Sequence, residues 1–189
     1  MRFVGIDPAT KTGFCALDER GNVLVEKELI GEGKKEPGGI SIEQLVSLED
    51  SLYKHLKPGD EIVIEQPAMG TQKGVTTGMI HGGLRSMIHR KGLAFNDCNP
   101  NWTKKYVGVT GWVGEPGNKR RLKDKEKKAA VKASVLEHFG YTHKSDNVVD
   151  AYIIARIALN LYRCREFMPL LDLLPYQLEV VQDILNPKK

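Results

Sequence analysis

An α/β domain built on a mixed β-sheet is the fold class that the sequence predicts, and three features predict it. Three short, alternating apolar segments open the chain with only a few residues between them. An amphipathic helix then leads into a buried strand, and a long, almost wholly apolar helix comes late. Connections of a few residues join antiparallel strands, whereas a helix between two strands returns the chain parallel to the first. At 189 residues, 41% hydrophobic and 28% charged, the chain can build one core of this kind.

Arg2 to Ile6 reads as the first strand, Pro8 to Thr12 as a turn, and "GFCALD" as a second strand ending at the turn Glu19-Arg20-Gly21-Asn22. "VLVEKELI" alternates as the third, completing an antiparallel meander, and the glycine-rich "GEGKKEPGG" follows as a loop. From Ser41, the apolar positions Ile42, Leu45, Leu48, Leu52 and Leu56 fall three or four apart, and Ser41 with Gln44 has the spacing of a capping box. Pro58-Gly59-Asp60 stops this helix, and "EIVIEQP" is a short buried strand parallel to the first.

"VTTGMIHGGLRSMIHRKG" predicts a second helix, although Gly78, Gly82 and Gly83 each cost it about 1 kcal/mol against alanine. Gly78 and Gly82 share a face and would permit close approach of another helix or a second subunit. "LAFNDCNP" is a further short strand and turn, and "GWVGEPGN", with Pro116, a loop. "KDKEKKAAVKASVLEHFG" predicts a helix ending at Gly140, with an apolar stripe of Val131, Val135 and Phe139. "DNVVDAYIIARIALNLY" is the apolar helix, and after Pro169 and Pro175 the tail regains helical periodicity from Leu178 to Leu185. The expected organisation is one domain over residues 1–165 with a helical extension over 166–189.

No apolar run approaches the roughly 20 residues of a membrane span, and the first residues lack a secretory signal, so the chain is read as cytoplasmic and without a membrane partner. Cys15, Cys98 and Cys164 show no zinc-ligand spacing and are read as reduced thiols. The formal net charge of +4 is local. Residues 119–132 contain eight basic side chains against Asp124 and Glu126, the footprint expected of a phosphate-backbone binder as well as of a solvated helix face.

Three carboxylates stand where apolar residues would be expected: Asp7 after the first strand, Glu65 after the parallel strand, and Asp150 within the apolar helix. Each alone has an ordinary explanation as a turn former, a solvated strand end or a helix-start acid. Adjacent parallel strands, however, bring Asp7 and Glu65 to one sheet edge, and a following helix can deliver Asp150 there. Carboxylates so crowded repel one another unless a cation sits among them. Oxygen ligands without cysteine or histidine favour Mg²⁺ or Mn²⁺, and a pair of such ions about 3.5–4 Å apart serves phosphodiester hydrolysis.

"GIDPATKTG" followed by two strands, "IVIEQP" on the fourth, and "DNVVDAYIIARIA" on a late helix resemble the RuvC-type Holliday junction resolvases of the ribonuclease H-like superfamily. The resemblance covers residues 2–162. It implies a five-stranded mixed sheet, strands 1–3 antiparallel and strands 4 and 5 parallel, with helices on both sides. It also implies a homodimer and Mg²⁺-dependent paired nicking of four-way DNA junctions. Carried over by position, Asp7, Glu65 and Asp150 match the acidic metal ligands, with Asp146 or Asn147 as the fourth. Both share a helix face with Asp150, and Asp146 is favoured because it carries charge. The pattern at Asn147 departs from the family's usual acid or histidine, marking a divergent member of a kind that a phage could encode.

By the same resemblance Lys128 corresponds to a lysine at the catalytic site, and Lys104 or Lys105 to another. Gly78, Met79 and Gly82 fall on the dimer-forming helix. DNA binding is expected from Lys104, Lys105, Lys119, Arg120, Arg121, Lys123, Lys125 and Lys127, with Trp102, Tyr106 and Trp112 either loop aromatics able to stack or wedge or members of the core. The histidines His81, His89, His138 and His143 are expected on the surface or in helix packing. Two other functions use the same motifs. A YqgF-like or other ribonuclease H-like enzyme would cut RNA or an RNA–DNA hybrid, and an actin- or sugar-kinase-like ATPase would use "GIDPATKTG" to bind phosphate but needs a second nucleotide-binding half.

Overall fold

In a computed structural model of the protein, residues 1–37, 39–67, 74–115 and 117–187 are described; Gly38 and Pro116, both read as loop positions, lie outside them. The N-terminal meander consists of β1 (Arg2–Asp7), β2 (Lys11–Leu17) and β3 (Val23–Ile30), followed by α1 (Ile42–His55) and β4 (Asp60–Glu65). Then come α2 (Gly74–Arg90), β5 (Phe95–Cys98), α3 (Pro100–Tyr106), a small hairpin of β6 (Trp112–Val113) and β7 (Arg120–Arg121), α4 (Asp124–Phe139), α5 (Asp146–Arg165) and α6 (Pro175–Leu185). The main sheet has the order β3-β2-β1-β4-β5, with β1 antiparallel to β2 and parallel to β4, and β4 parallel to β5. This is the five-stranded mixed sheet of the ribonuclease H-like fold.

The central strand β1 is buried on both faces, so its alternating side chains feed two cores. Val4 and Ile6, with Phe14, Ile62 and Ile64, pack under α1 and α2, where Leu48, Leu52, Ile80, Leu84 and Ile88 meet them. Phe3, Cys15, Leu17 and Val63 face the other way, onto α5 and the helices around it. The start of α1 follows from the sequence: the Ser41 hydroxyl accepts from the Gln44 amide, and the Gln44 side chain accepts from the Ser41 amide, at 3.2 Å each.

Two glycines set how closely α5 can lie on the sheet. A Cβ on Gly5 would stand 2.0 Å from the Ala151 carbonyl oxygen, and one on Gly13 would stand 1.9 Å from that of Asn147. Because β1 and β2 present bare backbone there, the first turns of α5 rest directly on the strands. The Asn147 side-chain amide also donates to the Lys11 carbonyl at 2.7 Å, tying the start of the helix to β2.

The fold differs from the sequence reading at several points. "NWTKKY" forms α3, capped by Asn99, whose side chain accepts from the Asn101 amide at 2.9 Å. The loop read at "GWVGEPGN" contains β6 and continues into β7, with Trp112 opposite Arg121 and Val113 opposite Arg120. Of the two places open to Tyr106, a DNA-facing loop or the core, it takes the core: it is wholly buried, and its hydroxyl donates to Asp172 at 2.8 Å. Asp172 also accepts from Asn160 at 2.6 Å and pairs with Arg156, so a buried polar network crosses from residues 1–165 into the C-terminal extension. Val180 and Val181 of α6 join the same core.

On α2 the open side carries Gly78 and Gly82, where an added Cβ would meet nothing within 4 Å, together with Val75, which is 78% exposed. The close approach expected at these glycines is therefore not made by the described residues. Gly83 instead lies against α1, beside Glu49 and Leu45. Met79, grouped with the two open glycines from the sequence, packs towards the sheet because it lies one residue round the helix.

Candidate active site

Parallel pairing of β1 with β4, in the register Ile6 with Ile64, puts Asp7 and Glu65 at neighbouring strand ends on one sheet edge. The seating of α5 on Gly5 and Gly13 then brings Asp150 over that edge. Burial, then the charge of Glu65, raises the Asp7 carboxyl well above the usual carboxylate range. Glu65 is pushed to about 7 by burial and the charge of Asp150, and Asp150 to about 7 by burial and the charge of Asp7. The Asp7 and Glu65 carboxyls lie within hydrogen-bonding reach, so burial and mutual repulsion favour the protonated form at this pair.

Cationic groups surround this triad. Lys104, on α3, acts on all three carboxylates and favours their ionised forms. Lys105, one residue further along the same helix, points elsewhere and pairs with Glu179 at 2.7 Å and Asp183 at 3.7 Å. Lys128, on α4, lies 2.9 Å from Asp146, and Lys132 lies 2.7 Å from the other oxygen of the same carboxylate. Asp146 is held below its usual range by these two partners, so it differs from the buried triad in remaining ionised at any ordinary pH. A cleft of about 380 Å³ opens here, bordered by Lys104, Lys127, Lys128, Lys132, Asp146 and Asp150.

Two residues that the sequence reading did not single out for the site hold Glu65 from behind. Arg85 donates to its carbonyl at 2.8 Å and bridges to Asp97 on β5 at 2.8 Å. His81 is 5% exposed and also hydrogen-bonds that carbonyl; burial, then the charge of Arg85, lowers its imidazole to about 4, so it is neutral. Their sequence signal was weak: a basic residue and a histidine four apart on a helix, without the strand that they contact. At the start of β2, Thr12 is fully buried and its hydroxyl donates to the Ala9 carbonyl at 2.7 Å, closing the turn beside Asp7.

The basic residues expected at DNA fall into distinct environments. Arg120 is clasped by Glu126 at 2.7 and 2.8 Å, and Lys127 lies 3.6 Å from Asp124. Lys119, Arg121, Lys123 and Lys125 are exposed on the hairpin and at the start of α4. Asn147 spends its amide on β2 and does not share the lysine cluster of Asp146. Trp102 is half-buried against the core, whereas Trp112 is 55% exposed.

For a divalent cation, the donor chemistry fits: every acidic group at the edge offers oxygen, and the raised carboxyls mark negative charge that a cation would relieve. Among the described residues, no three acidic, histidine or cysteine side chains form a ready-made metal cage. Ions bound there would displace protons from the raised carboxyls.

Neither a protein-family model nor a curated protein matches the sequence. Among solved structures, the chain is similar to Thermus thermophilus RuvC in complex with a Holliday junction substrate, with a TM-score of 0.61 and 15% identity over 88% of this chain and 96% of that one. It is likewise similar to a second Thermus thermophilus RuvC structure, with a TM-score of 0.56 and 18% identity over 89% of this chain and 98% of that one. At such identities the likeness is one of fold, and it spans almost the whole of both chains.

Proposed function

We propose that this chain is a divalent-metal-dependent endonuclease that makes paired nicks in four-way DNA junctions. The observation that carries the reading is the triad of Asp7, Glu65 and Asp150, gathered from two strand ends and a helix onto one sheet edge beside Lys104 and Lys128. The fold shared with a RuvC structure solved on a Holliday junction substrate supports the choice of DNA.

In this reading Asp7, Glu65 and Asp150 would hold two Mg²⁺ ions, for which Mn²⁺ could substitute, with Asp146 as the fourth ligand and Asn147 as its alternative. Bound there, the ions would activate water and stabilise the leaving oxygen of a phosphodiester. The chain's own part is positional and electrostatic. Arg85 and His81 fix the backbone of Glu65, Lys104 favours the ionised triad, and Lys128 and Lys132 offer positive charge at the cleft mouth to a phosphate. The basic side chains from Lys119 to Lys127, with Lys105, would hold the flanking backbone. Paired nicks need two sites at a fixed spacing, and the open side of α2, with Gly78 and Gly82, is suited to joining two copies of this chain.

The test is cleavage of an end-labelled synthetic four-way junction with Mg²⁺, beside linear duplex, RNA–DNA hybrid and single-stranded RNA, with Asp7→Asn as control. Paired nicks in opposing strands of the junction alone are expected. Cleavage of RNA or hybrid instead would overturn the substrate and leave a ribonuclease.

A further inference from the structure

Beside the carboxylate cleft lies a second one of about 750 Å³, between α3, the β6–β7 hairpin and α6. Lys104 and Lys127 border both clefts, so the two are continuous. The hairpin sorts its four paired residues by face. Trp112 and its cross-strand partner Arg121 line the cleft, while Val113 and Arg120 do not, and Arg120 is occupied by Glu126. Arg121 makes no ion pair with the described residues, whereas Lys105 is partly answered by Glu179 and Lys127 by Asp124, and Lys104 lies in the field of the carboxylates. The cleft thus presents a 55% exposed indole next to a guanidinium whose charge is uncompensated. Tyr176 lines it from the α6 side, its hydroxyl fixed 2.6 Å from the His138 ring.

An exposed aromatic beside a free guanidinium suits a nucleotide whose base is unstacked: the indole takes the face of the base and the arginine the phosphate. A continuous duplex hides its base faces and cannot use the indole in this way. We propose that this second cleft is a stacking site for an unpaired DNA strand, with a base on Trp112 and its phosphate on Arg121. The strand runs past Lys104 and Lys127 towards the carboxylates. The choice of DNA rests on the endonuclease reading; the stacking site itself rests on the cleft.

The chain has two tryptophans, so Trp102→Phe leaves Trp112 as the sole indole reporter. Oligothymidylate titrated in EDTA should quench its fluorescence. Trp112→Ala in the otherwise unaltered chain, at an exposed position, should weaken oligothymidylate binding roughly tenfold, and Trp112→Phe should retain most of the affinity. Arg121→Gln should lower the slope of log affinity against log salt by about one phosphate contact, roughly 0.7 for a single strand. An unquenched Trp112, or wild-type affinity in Trp112→Ala, would overturn the site. Oligouridylate binding more than tenfold tighter would overturn the assignment to DNA. Junction cleavage by the unaltered chain, measured in parallel, separates the two readings. Quenching without cleavage keeps the stacking site and overturns the endonuclease, while cleavage without quenching overturns the stacking site alone.

Discussion

Asp7 has ordinary reasons to follow a strand and precede a proline, and its meaning comes from its neighbours. In the unfolded chain Glu65 and Asp150 titrate near 4, whereas in the fold they are held at about 7. Between those values the folded chain binds more protons than the unfolded one, so stability falls as pH rises through this window. Thermal unfolding in EDTA should accordingly show Tm decreasing from about pH 4 to about pH 7 and levelling off above, with a divalent cation restoring it at the upper end. A flat profile would mean that the carboxylates are not crowded. Asp7→Asn removes one of the repelling charges. It should abolish nicking, leave junction affinity largely unchanged, and raise the metal-free Tm at pH 8 by a few degrees, about 1 kcal/mol. Mobility-shift binding and calorimetry in EDTA check the three together. Glu65 and Asp150 were legible in the same way, as acids at apolar positions. Arg85 and His81 were not, because what they hold is a backbone carbonyl, which no side-chain pattern reports.

At the scale of elements, the sequence reading worked where one element carries its own signals. The Ser41 and Gln44 box forms as expected, and the meander follows from the short turns. It stopped where an element takes its orientation from another. Lys104 and Lys105 are neighbours on α3, but about 100° of helical rotation separates them. Packing of α3 beneath α6 sends the first to the carboxylates and the second to Glu179. The seating of α5 is similarly a property of a pair. Gly5→Ala would set a Cβ 2.0 Å from the Ala151 carbonyl, a backbone atom that cannot turn aside. It should cost at least about 3 kcal/mol, the upper end for overpacking, and move Asp150 away from Asp7. Urea unfolding gives the first quantity. Nicking reduced far more than junction affinity would report the second, and wild-type stability would show that α5 is not seated on bare strand backbone.

For the whole molecule, the C-terminal extension matters most. Asp172, almost fully buried, answers Arg156 and accepts from Tyr106 and Asn160, so α3, α5 and the segment before α6 close on one carboxylate. Asp172→Ala would leave a buried guanidinium without its partner and should cost roughly 3–5 kcal/mol in equilibrium unfolding. A loss below about 1 kcal/mol would mean that the extension is only laid against the domain. By itself the sequence determined the antiparallel meander, the crossover through α1, the parallel strand and three misplaced carboxylates, because periodicity, caps and polarity are local and each residue bears its own mark. The tertiary structure alone decided which lysine faces the triad, that Tyr106 is core and Trp112 surface, and that the tail is tied to α3. Those outcomes depend on how one element rotates against another, and that rotation is fixed by contacts between residues distant in the chain.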